Sequence, residues 1–475
     1  MIFNSIDFAI FFPLVFFIYW LVFSKKITSR NIFLLAVSYI FYGWWDWRFL
    51  SLIVISSSVD FIVGKKIHQE EDFTKRKLLL LVSLVVNLGF LVFFKYYNFF
   101  IDSFTDAFSM FGNKLDGFNL NIILPVGISF YTFQTLSYTL DIYYKKMKPN
   151  DDIVAFFAFV SFFPQLVAGP IERAKDLSPQ FLKTATINYE LLRSGLLLMV
   201  WGFFQKIVIA DRLAVFVNGA YADSDNLDGI TTIFAAIFFS FQLYLDFSAY
   251  SNIAIGSARV LGFNLSLNFK RPYLSNSFSD FWKRWHISLS SWFKDYVYIP
   301  LGGNKTSKTA RNILIVFILS GFWHGATWNF IIWGALNGMF ILLFDRFLSK
   351  ADDGLVKKAI SSVFVYTLWT LSLIFFRAKT FDKSIAIFSN LFESSKDILY
   401  NYGLNEAEFT FSLQLLGFYL VVELLIEKYS NIYHWFVSQN FVIRWTMYIS
   451  LITVILLFGS YGVGLNDNSF IYFQF

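Results

Sequence analysis

The chain has 475 residues, of which 56% are hydrophobic and only 15% charged, with a mean hydropathy of +0.55, which excludes an ordinary soluble domain. Its net charge of +6 is spread over short loops rather than gathered in a basic domain, which excludes a nucleic-acid-binding role. It contains no cysteine, which excludes structural disulfides, thiolate metal sites, S-palmitoylation and any acyl thioester carried on the protein itself, so a thioester donor must be a separate molecule.

The solvent for most of such a chain is lipid, and its 63 Phe suit lipid-facing and helix-packing surfaces that need bulk without polar atoms. The opening MIFNSIDFAIFFPLVFFIYWLVF has no basic n-region and no small-residue cleavage site, and it runs straight into Lys25 and Lys26, so it reads as a first membrane helix rather than a signal peptide. A membrane helix needs about 20 mostly apolar residues. Segments near 8–23, 31–45, 48–63, 78–100, 122–142, 153–169, 195–217, 230–262, 312–344, 360–376, 411–427 and 441–463 qualify wholly or in part. Several are short or carry Pro and Gly, so some are expected to be re-entrant or broken, which lipid tolerates only where protein or water covers the freed backbone groups. The expected fold class is therefore an all-α polytopic integral membrane protein with about a dozen transmembrane or re-entrant helices. Nothing marks a second soluble domain, so residues 1–475 are read as a single polytopic membrane domain.

Loop charge sets an expected orientation. Lys25, Lys26 and Arg30 follow the first segment, Lys65, Lys66, Lys75, Arg76 and Lys77 the third, and Lys145, Lys146 and Lys148 the fifth. The loop 101–121 carries Asp102, Asp106 and Asp116 against the single Lys114. Cytoplasmic loops concentrate Lys and Arg, so odd segments end inside and the N-terminus lies outside.

The chemistry is narrowed by the four histidines. His324 sits in SGFWHGATWNF, inside a stretch from Ile313 to Phe344 without one charged residue. An imidazole there is costly unless it is partnered or lines a cavity, and its ordinary pKa of about 6.5 suits proton transfer near neutral pH. A histidine bonded to a neighbouring helix is the competing reading. His286 lies in FWKRWHISLSSWFKDYVYIPLGG, where Trp282, Trp285, Leu289 and Phe293 recur at helical spacing and Lys283, Arg284 and Lys294 take other faces. That pattern reads as an amphipathic interfacial helix, in which the histidine can be incidental. A third run, FQLYLDFSAYSNIAIG, places Asp246, Ser248, Tyr250, Ser251 and Asn252 in a membrane helix, where they are expected to face a cavity or a partner helix. Asp246 is open to two roles, orienting a histidine or substrate hydroxyl, or tying helices together. His68 in a charged loop and His434 in YHWF carry little weight. The chain has no HExxH, GxxxxGK[ST] or GxSxG pattern, and no metal site is expected.

At these residues the sequence closely resembles the membrane-bound O-acyltransferase family, in particular the bacterial branch that acetylates alginate and peptidoglycan. The likeness runs through MIFNSIDFAIFFPLVF, LPVGISFYTFQTLSYTLDIYY, FFPQLVAGPIER, LYLDFSAYSNIAIG, WKRWHISLSSWFKDYVYIPLGG and GFWHGATWNFIIWG, with residues 120–345 as the family core. It implies that His324 is the intramembrane catalytic histidine and His286 a second catalytic position. It implies a multi-pass protein of the bacterial cytoplasmic (inner) membrane, with acetyl-CoA entering from the cytoplasm as donor substrate and no cofactor bound permanently. A surface polysaccharide is the implied acceptor and a separate periplasmic or surface SGNH-type acetyltransferase the implied partner, beside the membrane lipids. In that scheme the indoles of Trp323 and Trp328 and the amide of Asn329 are candidates to steady an oxyanion, and Lys283, Arg284, Lys294, Lys305 and Arg311 to meet the CoA phosphates. Ordinary loop charge explains those cations equally well. The C-terminal aromatic tail, 466–475, ends in Phe470, Tyr472 and Phe475, which resembles the Phe-x-Tyr-x-x-Phe motif of cell-surface acylation systems, whose tyrosine is proposed to relay the acyl group. D-alanyl transfer to teichoic acid is the alternative within the family, and a polysaccharide or lipid transporter the alternative outside it.

Overall fold

In a computed structural model of the chain, the residues described are 1–109, 117–305, 307–348, 353–396, 398–429, 431–461 and 470–471. They form helices and no strand. Among the described residues, eight helices are long and apolar enough to cross a membrane: Ile6–Phe23, Ile27–Gln69, Phe73–Ser109, Tyr189–Ala222, Gly229–Val260, Leu355–Arg377, Glu406–Lys428 and Phe441–Phe458. The remaining expected segments are the short and broken ones. Residues 153–169 hold a helix over Ile153–Ser161 and a single turn at Phe163–Leu166, and residues 312–344 divide into Thr309–His324 and Trp328–Phe344.

The chain forms two compact units, residues 1–199 with 253–266 and residues 200–252 with 267–475. In the first, large apolar side chains such as Ile10, Leu14, Leu21 and Val85 face outward, where lipid makes them the stable choice, and polar contacts hold the interior. Asp60 accepts hydrogen bonds from Ser83 Oγ (2.5 Å), Asn87 Nδ2 (2.9 Å) and Thr139 Oγ1 (3.0 Å), joining three helices around one buried carboxyl group. Arg30 donates to the carbonyls of Phe181 (2.7 Å) and Lys183 (2.5 Å). Glu172, buried outside the spans, accepts from the Ser266 amide (2.6 Å) and hydroxyl (2.7 Å).

The second unit is built on an aromatic interior. Trp369 is fully enclosed, with ring centroids of Phe281 at 4.5 Å, Trp285 at 4.8 Å, Trp282 at 5.7 Å and Trp333 at 5.9 Å, in tilted and edge-on arrangements that favour the aromatic quadrupoles. Beside it, Thr309–His324 and Trp328–Phe344 pack as a close hairpin. A Cβ at Gly321 would lie 2.1 Å from the Phe330 carbonyl oxygen, and one at Gly334 would lie 2.3 Å from that of Phe317. Small residues let two membrane helices touch backbone to backbone, which is how this pair is held where lipid offers no hydrophobic drive. Gly334→Val should therefore separate the hairpin. Overpacking a tight core costs about 1–3 kcal/mol, and a backbone obstacle allows little relief. A lower melting temperature in detergent and a smaller monodisperse fraction are the expected readings; an unchanged melting curve would show that the crossing is looser than its geometry.

Candidate active site

His324 is the last residue of the helix Thr309–His324; the backbone then extends at Gly325 (φ −163°, ψ 156°) and the next helix starts at Trp328. The break places the imidazole where the helix ladder stops. It is 5% exposed and ringed edge-on by Trp323 (5.0 Å), Trp333 (5.2 Å) and Phe376 (5.4 Å).

His286 does not lie on a continuous amphipathic helix. One helix ends at Arg284, another starts at Ile287, and His286 between them takes a left-handed backbone (φ 42°, ψ 55°). The left-handed residue turns the chain inward, so the side chain that an interfacial helix would leave wet has no exposed surface. Its neighbours clamp it. The Ile287 amide donates to the Asn268 carbonyl (2.9 Å), Lys270 donates to the Arg284 carbonyl (2.9 Å), and Asn268 joins Ser288 Oγ (2.6 Å) to Ser251 Oγ of the long helix (3.0 Å). Upstream, Asp345 accepts from the amides of Phe278 (2.8 Å) and Ser279 (3.0 Å) at the start of the preceding helix. Phe247 meets the His286 ring edge-on at 4.7 Å, and Trp323 lies 6.0 Å away. Burial pushes the His286 imidazole down to about 3, well below the ordinary histidine range. Trp323 is thus in ring contact with both histidines.

Other expected site residues lie elsewhere. Trp328 is 59% exposed. Asn329 is buried, but its amide donates to the Ala378 carbonyl (2.8 Å) and Ser384 Oγ (3.2 Å), so it fastens helices instead of offering N–H groups to an oxyanion. Arg284 is held by Asp280 (3.0 Å) and Glu427 (2.9 Å), which removes it from the cations open to phosphate. Lys283, Lys294, Lys305 and Arg311 are exposed. Tyr472 lies outside the described residues.

The polar run on the long helix is engaged with neighbouring elements. Ser248 and Asn252 bond Gln205 (3.0 and 2.8 Å), while Asp246 lies 2.6 Å from Lys206 Nζ and accepts the main-chain N–H of Ile471 at 2.6 Å. Lys206 also lies 2.8 Å from Asp211. Sequence reading had not singled out Lys206 or Asp211, although a lysine inside an apolar segment is itself a signal, because it requires a carboxylate partner.

A sequence model of the membrane-bound O-acyltransferase family matches residues 150–369. A protein of Azotobacter vinelandii named probable alginate O-acetylase AlgI is 37% identical over 420 residues, spanning 87% of this chain and 82% of its own. A Helicobacter pylori peptidoglycan O-acetyltransferase is 35% identical over 400 residues, covering 78% of this chain and 75% of its own. A teichoic acid D-alanyltransferase of Streptococcus thermophilus is 29% identical over 282 residues, 56% of this chain and 68% of its own. With an all-helical membrane architecture and a likeness of this extent along the chain, the protein belongs to the membrane-bound O-acyltransferase family and is an O-acyltransferase.

Proposed function

We propose that this protein transfers an acetyl group from acetyl-CoA, supplied on the cytoplasmic side of the bacterial inner membrane, toward the hydroxyls of a surface polysaccharide such as alginate or peptidoglycan. The observation that carries the reading is the pair of buried histidines in contact with one indole, with His324 at a helix break. His324 acts as the general base: its imidazole takes the acceptor's hydroxyl proton as the oxygen attacks the thioester carbonyl. The tetrahedral intermediate then expels the CoA thiolate, which recovers the proton from the imidazolium, so the step balances as ester plus thiol. His286, in its clamped loop, packs against Trp323 and fixes it. Tyr472 is the first hydroxyl acceptor, and a separate SGNH-type acetyltransferase outside the membrane carries the group on to the polymer. Lys283, Lys294, Lys305 and Arg311 are the cations that remain for the CoA phosphates, and Arg284 drops from that set.

Acetyl rather than D-alanyl transfer is favoured by the more extensive likeness to the O-acetylating relatives than to the D-alanyltransferase. Purified protein incubated with radiolabelled acetyl-CoA should release free CoA and retain label on the chain. No turnover, together with polysaccharide or lipid flux in vesicles, would replace the enzyme reading with the transporter.

A further inference from the structure

We propose that Lys206, Asp211 and Asp246 form a seat that holds the C-terminal tail by its main chain, and that they act as positioning residues for Tyr472. The function given to the seat rests on the relay reading of Tyr472; the seat itself does not.

The seat depends on a local departure from α-helix. Lys206 lies in a π-helical stretch, Phe204–Ala210, whose register is carried by the Asp211 amide donating to the Lys206 carbonyl. Residues five apart in an α-helix point about 140° from each other. The wider π turn, closed by an i→i+5 hydrogen bond, brings residue i+5 back toward the side of i, so Lys206 and Asp211 share one side and pair at 2.8 Å. Lys206 then reaches Asp246 Oδ1 at 2.6 Å, and all three groups are buried. One ammonium between two carboxylates leaves an excess of negative charge, which is costly in a buried site unless further donors meet it. The donor that arrives at the other oxygen, Asp246 Oδ2, is the main-chain N–H of Ile471, at 2.6 Å.

A main-chain contact fixes the register of the tail independently of its side chains. The side chains lock it: Phe470 and Ile471 are 3% and 1% exposed, and the Phe470 ring lies 4.7 Å from Tyr250 and 5.6 Å from Phe247. Phe247 is the ring that meets His286 edge-on at 4.7 Å. The seat and the His286 clamp therefore use successive parts of the same helix, Asp246 and Phe247 for one and Ser251 for the other, and Tyr472 is the next residue after the seated pair.

The chain has no cysteine, so one introduced thiol reports on the tail alone. In detergent-purified protein, Phe470→Cys should react with a maleimide at least about tenfold more slowly than Lys305→Cys at an exposed position. Adding Asp246→Ala, which leaves Lys206 and Asp211 as a neutral pair, should raise the rate to that of the exposed site, while a buried reference, Ala236→Cys, stays protected in the same background. Ile471→Pro removes the tail's N–H donor and should free Phe470→Cys in the same way, whereas Ile471→Val, which keeps the N–H and most of the side chain, should leave it protected; the two together decide the matter even if Asp246→Ala does not fold. A thiol at 470 as reactive as the exposed one, or protection that survives the loss of the N–H, overturns the seat. Tyr472→Phe separates the two readings: it should abolish transfer and leave Phe470→Cys protected. Full transfer by Tyr472→Phe with the labelling pattern intact would remove the relay and keep the seat; lost transfer with a labelling pattern that fails would do the reverse.

Discussion

His324→Ala should abolish detectable O-acetylation in cells while the protein still inserts and runs as a single species in detergent. Three independent observations converge on this residue: a charge-free stretch of sequence, burial among three aromatic rings, and a helix that stops at the imidazole itself. Removing a general base costs roughly 10²–10⁴-fold in rate. The ring also fills space against Trp333 and Phe376, so His324→Gln is the companion variant that keeps more volume and a polar end. Release of CoA from acetyl-CoA by each purified variant is the measurement. A folded His324→Ala protein with near-normal turnover would remove the general-base mechanism.

His286→Asn should lower turnover by about 10²-fold, the scale of loss that follows from small misplacement of reacting groups, and should do so without unfolding the protein. Asparagine is chosen because it tolerates the left-handed backbone that His286 adopts, whereas alanine would add backbone strain to the loss of the ring. The same burial predicts a pH effect on stability. In the folded protein the imidazole is held to about 3, against 6.5 for an ordinary histidine. Below the ordinary value the unfolded chain takes up a proton that the folded chain refuses, so the stability contributed by this site falls as pH drops from about 6.5 toward 3, by up to about 1.4 kcal/mol per pH unit, and is constant above that window. Melting temperatures in detergent at pH 7.5 and pH 5 should therefore differ less for His286→Asn than for the parent. Equal acid sensitivity of the two proteins would show that His286 is not the group responsible, and unimpaired turnover by the variant would end its part in the site.

How far the sequence could be read depended on the range of the interaction that fixes each feature. The membrane architecture follows from composition, because lipid imposes it segment by segment. His324 stands out in the sequence as a candidate because its cost is local: an imidazole among uncharged neighbours. The break at His286 was not legible, because Trp282, Trp285, Leu289 and Phe293 keep helical spacing across two separate helices, and nothing in that spacing signals one left-handed residue between them. Arg284 read as a loop cation because only one of its two partners, Asp280, is local, while the other, Glu427, is 143 residues away. Lys206 and Asp211 are five residues apart, a spacing that faces opposite ways in an α-helix and becomes a pair only in the π stretch. Asn329 looked like an oxyanion donor until its amide was seen to be held by Ala378 and Ser384.

The glycine crossing of the histidine hairpin bears on how such a protein can diversify. Because Gly321 and Gly334 bring backbone against backbone, the separation of the two helices is set by main-chain contact and not by the bulk of the side chains along them. Outward positions on the same hairpin, such as Ile318, Leu319 and Leu343, are then free to exchange one apolar residue for another as bilayer thickness or lipid composition changes. Adaptation to a new membrane and preservation of the histidine's place are thereby uncoupled, and a lineage can travel far in the first without disturbing the second.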